Sequence, residues 1–245
     1  MAKRRHLAHA PIREAIIDIG VVPPVGFDDL RKFAESLRKD FPKIDAMKER
    51  AFGFEIREDA FTTSTVDRGF QGIRLRSKDE RHVLQARLGG FTFSRLPPYE
   101  TWESLSATTK PLWDSYCAVA NPQTVRRLGL RYVNVIELPL HPALNFEEYF
   151  TASPSVPNEL PQQIGSYFSR TLVVDSARKL AAFLTQSFEP TAGETAPIIL
   201  DIDTFAECTH IPNGNEMWDL FGKLRDFKNE IFFSSITEKA ARLFE

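Results

Sequence analysis

Apolar and polar positions alternate along much of this chain, and the alternation gives way to helical spacing at a few places. Ile12 to Val22 is an apolar, β-branched run closed by Pro23-Pro24, which lack the backbone N–H that a central strand needs, so it predicts a strand ending there. Phe27-Asp28-Asp29-Leu30 then predicts a helix start, because acidic residues in a first turn complement the helix dipole. Leu30, Phe33, Ala34, Leu37 and Phe41 recur three and four apart and give that helix one apolar face as far as Pro42. Short alternating runs follow, near Phe52, Phe61 and Phe70, with a longer one from Arg81 to Arg95. Asp59, Arg68-Gly69 and Lys78-Asp79-Glu80 separate them, which predicts an antiparallel meander. Gly89-Gly90 inside the last run predicts a bulge or strong bend. Trp102, Leu105, Leu112, Trp113 and Tyr116 mark a second helix, where Pro111 predicts a kink or two abutting helices, and Asn121-Pro122 ends it.

The second half repeats this order. Gln123 to Leu138 predicts a strand with Leu130, Tyr132, Asn134 and Ile136 on one face and Arg131 on the other. A buried Asn134 would need hydrogen-bond partners. A short helix around Phe146 to Phe150 leads into a Pro/Ser-rich linker, Ser153 to Gln163, and then into strand runs starting at Tyr167, Lys179 and Pro197. Asn213-Gly214-Asn215 introduces a long helix, Glu216 to Phe233, with Met217, Trp218, Phe221, Leu224, Phe227 and Ile231 mostly three or four apart. Ser235-Ile236-Thr237-Glu238 has the form of a capping box, so a last short helix is expected through Leu243.

The strand-turn-acidic-helix passage from Ala15 to Leu30 is echoed from Tyr132 to Phe150. The expectation is therefore an α+β fold: a β-α-β-β-β-α unit occurring twice, joined into one curved antiparallel sheet with the long helices on one face. That element order resembles the saddle of TATA-binding-protein-like folds and the duplicated effector-binding domains of bacterial regulators, a likeness that carries no activity with it. The expected lobes are residues 1–128 and 129–245, with a single intimately joined domain as the alternative.

Composition adds the class. Of 245 residues 42% are hydrophobic and 26% charged, as in a globular protein. No apolar run approaches the ~18 residues of a membrane span, and the basic start has no stretch long enough for a signal sequence. Cys117 and Cys208 have no CxxC spacing, so a reducing cytoplasm is the expected setting. The net charge of −2 conceals an asymmetry. Residues 1–128 hold 22 Lys and Arg against 17 Asp and Glu, while residues 129–245 hold 9 against 16. The first lobe is thus basic and the second acidic, which suits lobes that differ in partner or that meet in an oligomer.

Strand alternation points to the sheet face without helices. Ile73 and Leu75, like Leu84, Ala86 and Leu88, belong to the covered face; Arg74, Arg76, Gln85 and Arg87 belong to the open one. Asp201 and Asp203 share a face opposite Leu200 and Ile202. Arg74, Arg76, Arg87 and Arg131 are therefore the candidate ligand- or partner-binding residues. Asp201-x-Asp203 could offer two carboxylates to a divalent cation, but no third ligand is evident, which leaves the pair a weak metal candidate. His6 and His9 lie in an N-terminal arm expected to be mobile, and His82, His141 and His210 are isolated; all read as surface or packed histidines. No GxSxG, HExxH, P-loop or GxGxxG pattern occurs, and both cysteines read as packed.

Three segments carry a family resemblance: Ala10-Pro11-Ile12-Arg13-Glu14-Ala15, Gly129-Leu130-Arg131-Tyr132-Val133-Asn134, and Lys228-Asn229 through Phe232 to Ile236-Thr237-Glu238. Together they resemble a sporadically distributed family of uncharacterised bacterial and archaeal proteins of about this length. The resemblance implies no established activity and assigns no residue a role. Sporadic distribution implies mobile genes, such as accessory defence or toxin–antitoxin loci. The functional expectation is a non-enzymatic binding or interaction protein, cytoplasmic, homo-oligomeric and without a cofactor, engaging a protein partner or small ligand on the open face or between the lobes. The first alternative is nucleic-acid binding by Lys3-Arg4-Arg5 with Arg74, Arg76 and Arg87, against which the pI near 6.3 counts. The second is a metal-dependent hydrolase built on Asp201 and Asp203.

Overall fold

The apolar run that opens the chain becomes β1 (Ile12–Val22), and the acidic helix start becomes α1 (Phe27–Ser36). A computed structural model describes residues 1–57, 60–139, 145–189, 195–212 and 214–245; of residues 49–57 and 60–68 it describes the backbone alone. After α1 come β2 (Lys43–Arg57), β3 (Ala60–Arg76), β4 (His82–Arg87), β5 (Gly90–Arg95) and α2 (Trp102–Ala120). The second half runs β6 (Thr124–Pro139), a 3-10 turn (Phe146–Glu148), β7 (Tyr167–Asp175), β8 (Leu180–Phe188), β9 (Thr195–His210), α3 (Glu216–Ser235) and α4 (Glu238–Arg242). The strands form one open, antiparallel sheet in the order β2-β3-β4-β5-β1-β6-β9-β8-β7. The fold is α+β, and β1 beside β6 makes the sheet continuous across the boundary at residue 128.

Alternation within that sheet sets the layers. Ile17 lies between Phe93 and Leu130, and Ile19 between Phe91 and Leu128; all six are fully buried. This face takes the helices. Trp113 and Tyr116 of α2 pack edge-on against Phe91, Phe33 of α1 packs against Tyr116, and α3 crosses β6 and β9 with Phe221 and Leu224 buried. Each such side chain contributes about 1.5–3 kcal/mol by leaving water. Asn134, on the same face, is 2% exposed and meets the requirement set by its position: Nδ2 donates to the carbonyls of Leu200 (2.9 Å) and Tyr132 (3.3 Å). Among the described residues no helix is long and apolar enough to cross a membrane.

Several sequence expectations need correction. Helix α1 stops at Ser36, before Phe41. The N–H of Leu37 turns back to the Ala34 carbonyl, and a separate turn, Phe41 N–H to Leu37 O, delivers Phe41 to the core. The runs at Phe61 and Phe70 are one strand, β3, in which Gly69 at φ 77 lies beside a register shift; Arg68-Gly69 is a bulge and not a break. The run from Arg81 to Arg95 is two strands, because Leu88-Gly89 forms a hairpin turn and Gly90 begins β5. Gly90 sits at φ 155, and a Cβ there would overlap the Ile19 carbonyl oxygen. The first half therefore has four strands between its helices where three were expected. Helix α2 runs unbroken through Pro111, which faces solvent, where the carbonyl it leaves unpaired can be hydrated. The cap of α4 is Thr237, whose Oγ1 accepts from Ala240 N (3.3 Å), whereas Ser235 ends α3 by donating to the Ile231 carbonyl. Asp59, His141-Pro142 and Asn213 lie outside the described residues.

On the open face, Asp18 of β1 ties the two halves together. It accepts from Arg87 of β4, from Thr92 Oγ1 of β5 (2.7 Å) and from Arg127 Nη1 of β6 (3.0 Å). Charged hydrogen bonds of this half-buried kind contribute about 1.5–3 kcal/mol each, and removing one member strands the others. Asp18→Ala should lower unfolding free energy by at least about 2 kcal/mol in a urea titration. Glu35→Ala, which breaks an exposed ion pair between the end of α1 and Arg38 just beyond it, should leave the midpoint unmoved.

Candidate functional site

The residues singled out in the sequence lie where alternation put them, and Arg87, Arg131 and Asp201 among them are already paired. Arg131 donates to both oxygens of Asp201, from Nε at 2.8 Å and Nη2 at 2.6 Å, and this pairing raises the guanidinium pKa. Arg87 is held by Asp18. Arg74 and Arg76 stand further out, on β3, opposite Gln85 and Val83 of β4, and are not brought to the others. Asp203 is 3.9 Å from Arg127, and burial pushes its carboxyl pKa up. With both Asp201 oxygens committed to a guanidinium, the two carboxylates do not converge on a shared point. Among the described residues no group of three His, Cys, Asp or Glu could hold a metal.

Beside these charges runs a ladder of stacked side chains. The Arg127 guanidinium lies 4.8 Å from the centre of the Phe205 ring, Phe205 stacks on Phe183 at 5.6 Å, and the Arg170 guanidinium lies 4.1 Å from Phe183. These two rings are thus engaged with each other and with the two guanidinium groups. The N-terminal arm is likewise committed. Ala2 N donates to the carbonyls of Phe233 (3.1 Å) and Ile236 (2.8 Å), Arg4 pairs with Asp226 (2.6 Å), Arg5 with Glu245 (2.7 Å) and Glu238 (3.0 Å), and His9 N donates to Phe244 O. The arm expected to be mobile is packed along α3 and α4, because its charges meet carboxylates and its Ala2 and Leu7 are buried.

The covered side holds what sequence reasoning missed. A cavity of about 690 Å³ opens between the arm, the start of α2 and the flank of α3. That size suits a small organic molecule. Its walls come from the three segments that carried the family resemblance: Ala10, Pro11 and Ile12 of the first, Tyr132 and Asn134 of the second, Lys228, Asn229 and Phe232 of the third. Tyr99, Glu100, Thr101, Trp102 and Glu103 around the start of α2 line it too, with Arg4, Arg5 and Arg225. Thr101 caps α2, its Oγ1 accepting from Ser104 N at 3.0 Å. The Tyr99 and Tyr132 hydroxyls share a 2.9 Å hydrogen bond, and burial pushes both phenols up, so both stay protonated.

Lys228 is the unusual member. Its Nζ lies 4.0 Å from the centre of the Tyr132 ring, enclosed by protein but open to solvent through the cavity. Burial, reinforced by Arg225 and Arg4, pulls its pKa down to about 7. Among the described residues it makes no ion pair, whereas Arg4 and Arg5 each have a carboxylate and Arg225 stands 3.5 Å from Glu103. Arg4, Arg5, Arg225 and Lys228 in the lining outnumber its carboxylates, Glu100 and Glu103, which are themselves paired with Arg95 and Arg225, so the arrangement suits a ligand rich in acceptors. A signal for it exists in the sequence. Met217, Phe221, Leu224 and Ile231 follow alternating steps of four and three, and Lys228 occupies the remaining core position of that stripe. Both thiols lie elsewhere, and burial raises their pKa, that of Cys117 to about 12, which makes them poor nucleophiles. Scanned against protein-family models and searched against curated proteins, the chain matches none.

Placing a lysine there opposes folding. Between pH 7 and the ordinary lysine value of 10.5 the unfolded chain holds a proton that the folded chain lacks, so the Lys228 term makes stability rise with pH across that window, and below pH 7 its cost is complete. Lys228→Met should therefore raise Tm by a few degrees at pH 6–7 and flatten the rise in stability between pH 7 and 10.5, as read by thermal melts across that range.

Proposed function

We propose that this protein is a non-enzymatic binding protein whose cavity between the arm, α2 and α3 takes a small organic anion, a phosphate or carboxylate attached to an apolar or aromatic body. One observation carries the reading: among the described residues Lys228 faces the cavity without an ion pair, while Arg4, Arg5 and Arg225 and the carboxylates Glu100 and Glu103 are already paired. An anion would supply the missing partner. Tyr99, Trp102 and Phe232 offer apolar wall, and Asn229 with the Tyr99 hydroxyl offers polar contact around it. The three resemblance segments then have a common purpose, since together they build this one wall. The internal echo also finds a place, as two halves of one saddle with the ligand held on its helical side. A ligand-responsive component of an accessory locus is the biological setting that fits this reading.

Isothermal calorimetry tests it. Phenyl phosphate and benzoate should bind, inorganic phosphate more weakly, and uncharged benzyl alcohol not at all. Lys228→Met should weaken phenyl phosphate at least ~10-fold, the effect of losing one charged contact. Because an anion raises the lysine pKa, binding at pH 8 should take up a proton, seen as an enthalpy that varies with the buffer. Equal affinity for the uncharged analogue, or no effect of Lys228→Met, would contradict the proposal.

A further inference from the structure

The two edges of the sheet are built differently. At one end, the pairing of β2 with β3 is interrupted twice, where β3 carries an extra residue at Gln71 and at Arg68, and β2 sets Lys43, Asp45 and Lys48 along the part whose side chains are described. Bulges and charges are the devices that keep an edge strand from recruiting another. At the other end, β7 has no bulge, and its one acidic residue, Asp175 at its end, is held by Arg178. Its nine residues pair with β8 in unbroken register, it contains no proline or lysine, and its one arginine is held over the Phe183 ring. Phe168, Leu172 and Val174 line its open side at 71%, 51% and 62% exposure. Among the described residues, none of the loop and turn backbone hydrogen bonds involves β7, so the outer row of its N–H and C=O groups points away from the protein.

We propose that β7 pairs antiparallel with β7 of a second copy, about a two-fold axis through Thr171, so that one sheet runs through a dimer. This register uses all nine residues. It sets Phe168 opposite Val174 of the second copy, Leu172 opposite Arg170, and Tyr167 opposite Asp175. The exposed apolar side chains then meet each other or the aliphatic stem of an arginine. A slip of one residue would put the helices of the two copies on opposite faces of the joint sheet and lose the apolar match. The two-fold arrangement is closed: both β7 edges are used, and the edges left outermost are the blunted β2 strands, so assembly stops at two. The site is independent of the cavity, which lies on the other face.

Light scattering coupled to size exclusion tests the pairing. The wild-type chain should elute at twice its 27.9 kDa mass. Leu172→Lys puts a lysine against Arg170 of the second copy, twice over by symmetry, and should give the single-chain mass with an unchanged circular dichroism spectrum. Adding Arg170→Glu to Leu172→Lys converts both repulsive pairs into attractive ones and should restore the doubled mass. A wild-type protein that stays at the single-chain mass at the highest workable concentration would overturn the proposal. So would a doubled mass that survives Leu172→Lys, or a double variant that remains monomeric.

Discussion

Everything in this molecule leans on the antiparallel pairing of β1 with β6. The two strands lie side by side from Ile12 opposite Asn134 to Val22 opposite Thr124, and they make one sheet of two chain halves. On the covered face the pairing aligns Ala15, Ile17 and Ile19 with Tyr132, Leu130 and Leu128, a strip of fully apolar contact beneath α2 and α3. On the open face the same pairing brings Asp18 within reach of Arg127, with Arg87 closing the group from the other side. A one-residue slip would invert both faces at once, driving the charges under the helices and the isoleucines into water, so the register is held by two opposed requirements.

The cavity follows from that junction. Tyr132 and Asn134 reach it because they sit on the covered face of β6, and Pro11 reaches it because its carbonyl accepts from Val135 N just before β1 begins. Helix α3 lies over β6 and turns its apolar stripe inward, which places Lys228 over Tyr132. An amine in that position is costly for folding, and among the described residues it meets the Tyr132 ring but makes no ion pair. Stability given up at a cavity wall is the pattern expected where a site is kept for a ligand.

Much of the architecture was legible because it depends on local pattern. Alternation located the covered and open faces correctly in β3, β4, β6 and β9, and three-four spacing located all the long helices. The errors came from features that local pattern does not encode. Gly69 allows a strand to continue through a bulge that looks like a break, and Leu88-Gly89 turns the chain into β5, where Gly90 lies close against β1. The open-face arginines were placed correctly but read as available, since the partners of Arg87 and Arg131 are 69 and 70 residues away in sequence. The arm was read as mobile for the same reason: its carboxylates belong to α3, α4 and the C-terminal residue. Lys228 was visible as a charge in an apolar stripe, but its meaning needed Tyr132 and the arm, which only the tertiary fold brings to it.

The account stands on Lys228 as an unpaired amine awaiting an anion. Carbon-13 NMR of the lysine side chains, assigned by comparison with Lys228→Met and titrated with and without saturating phenyl phosphate, reads that directly. Lys228 should titrate near pH 7 in the free protein and move well upward when the ligand is bound. A Lys228 that titrates near 10.5 in the free protein, or one whose titration the ligand does not shift, would contradict the account.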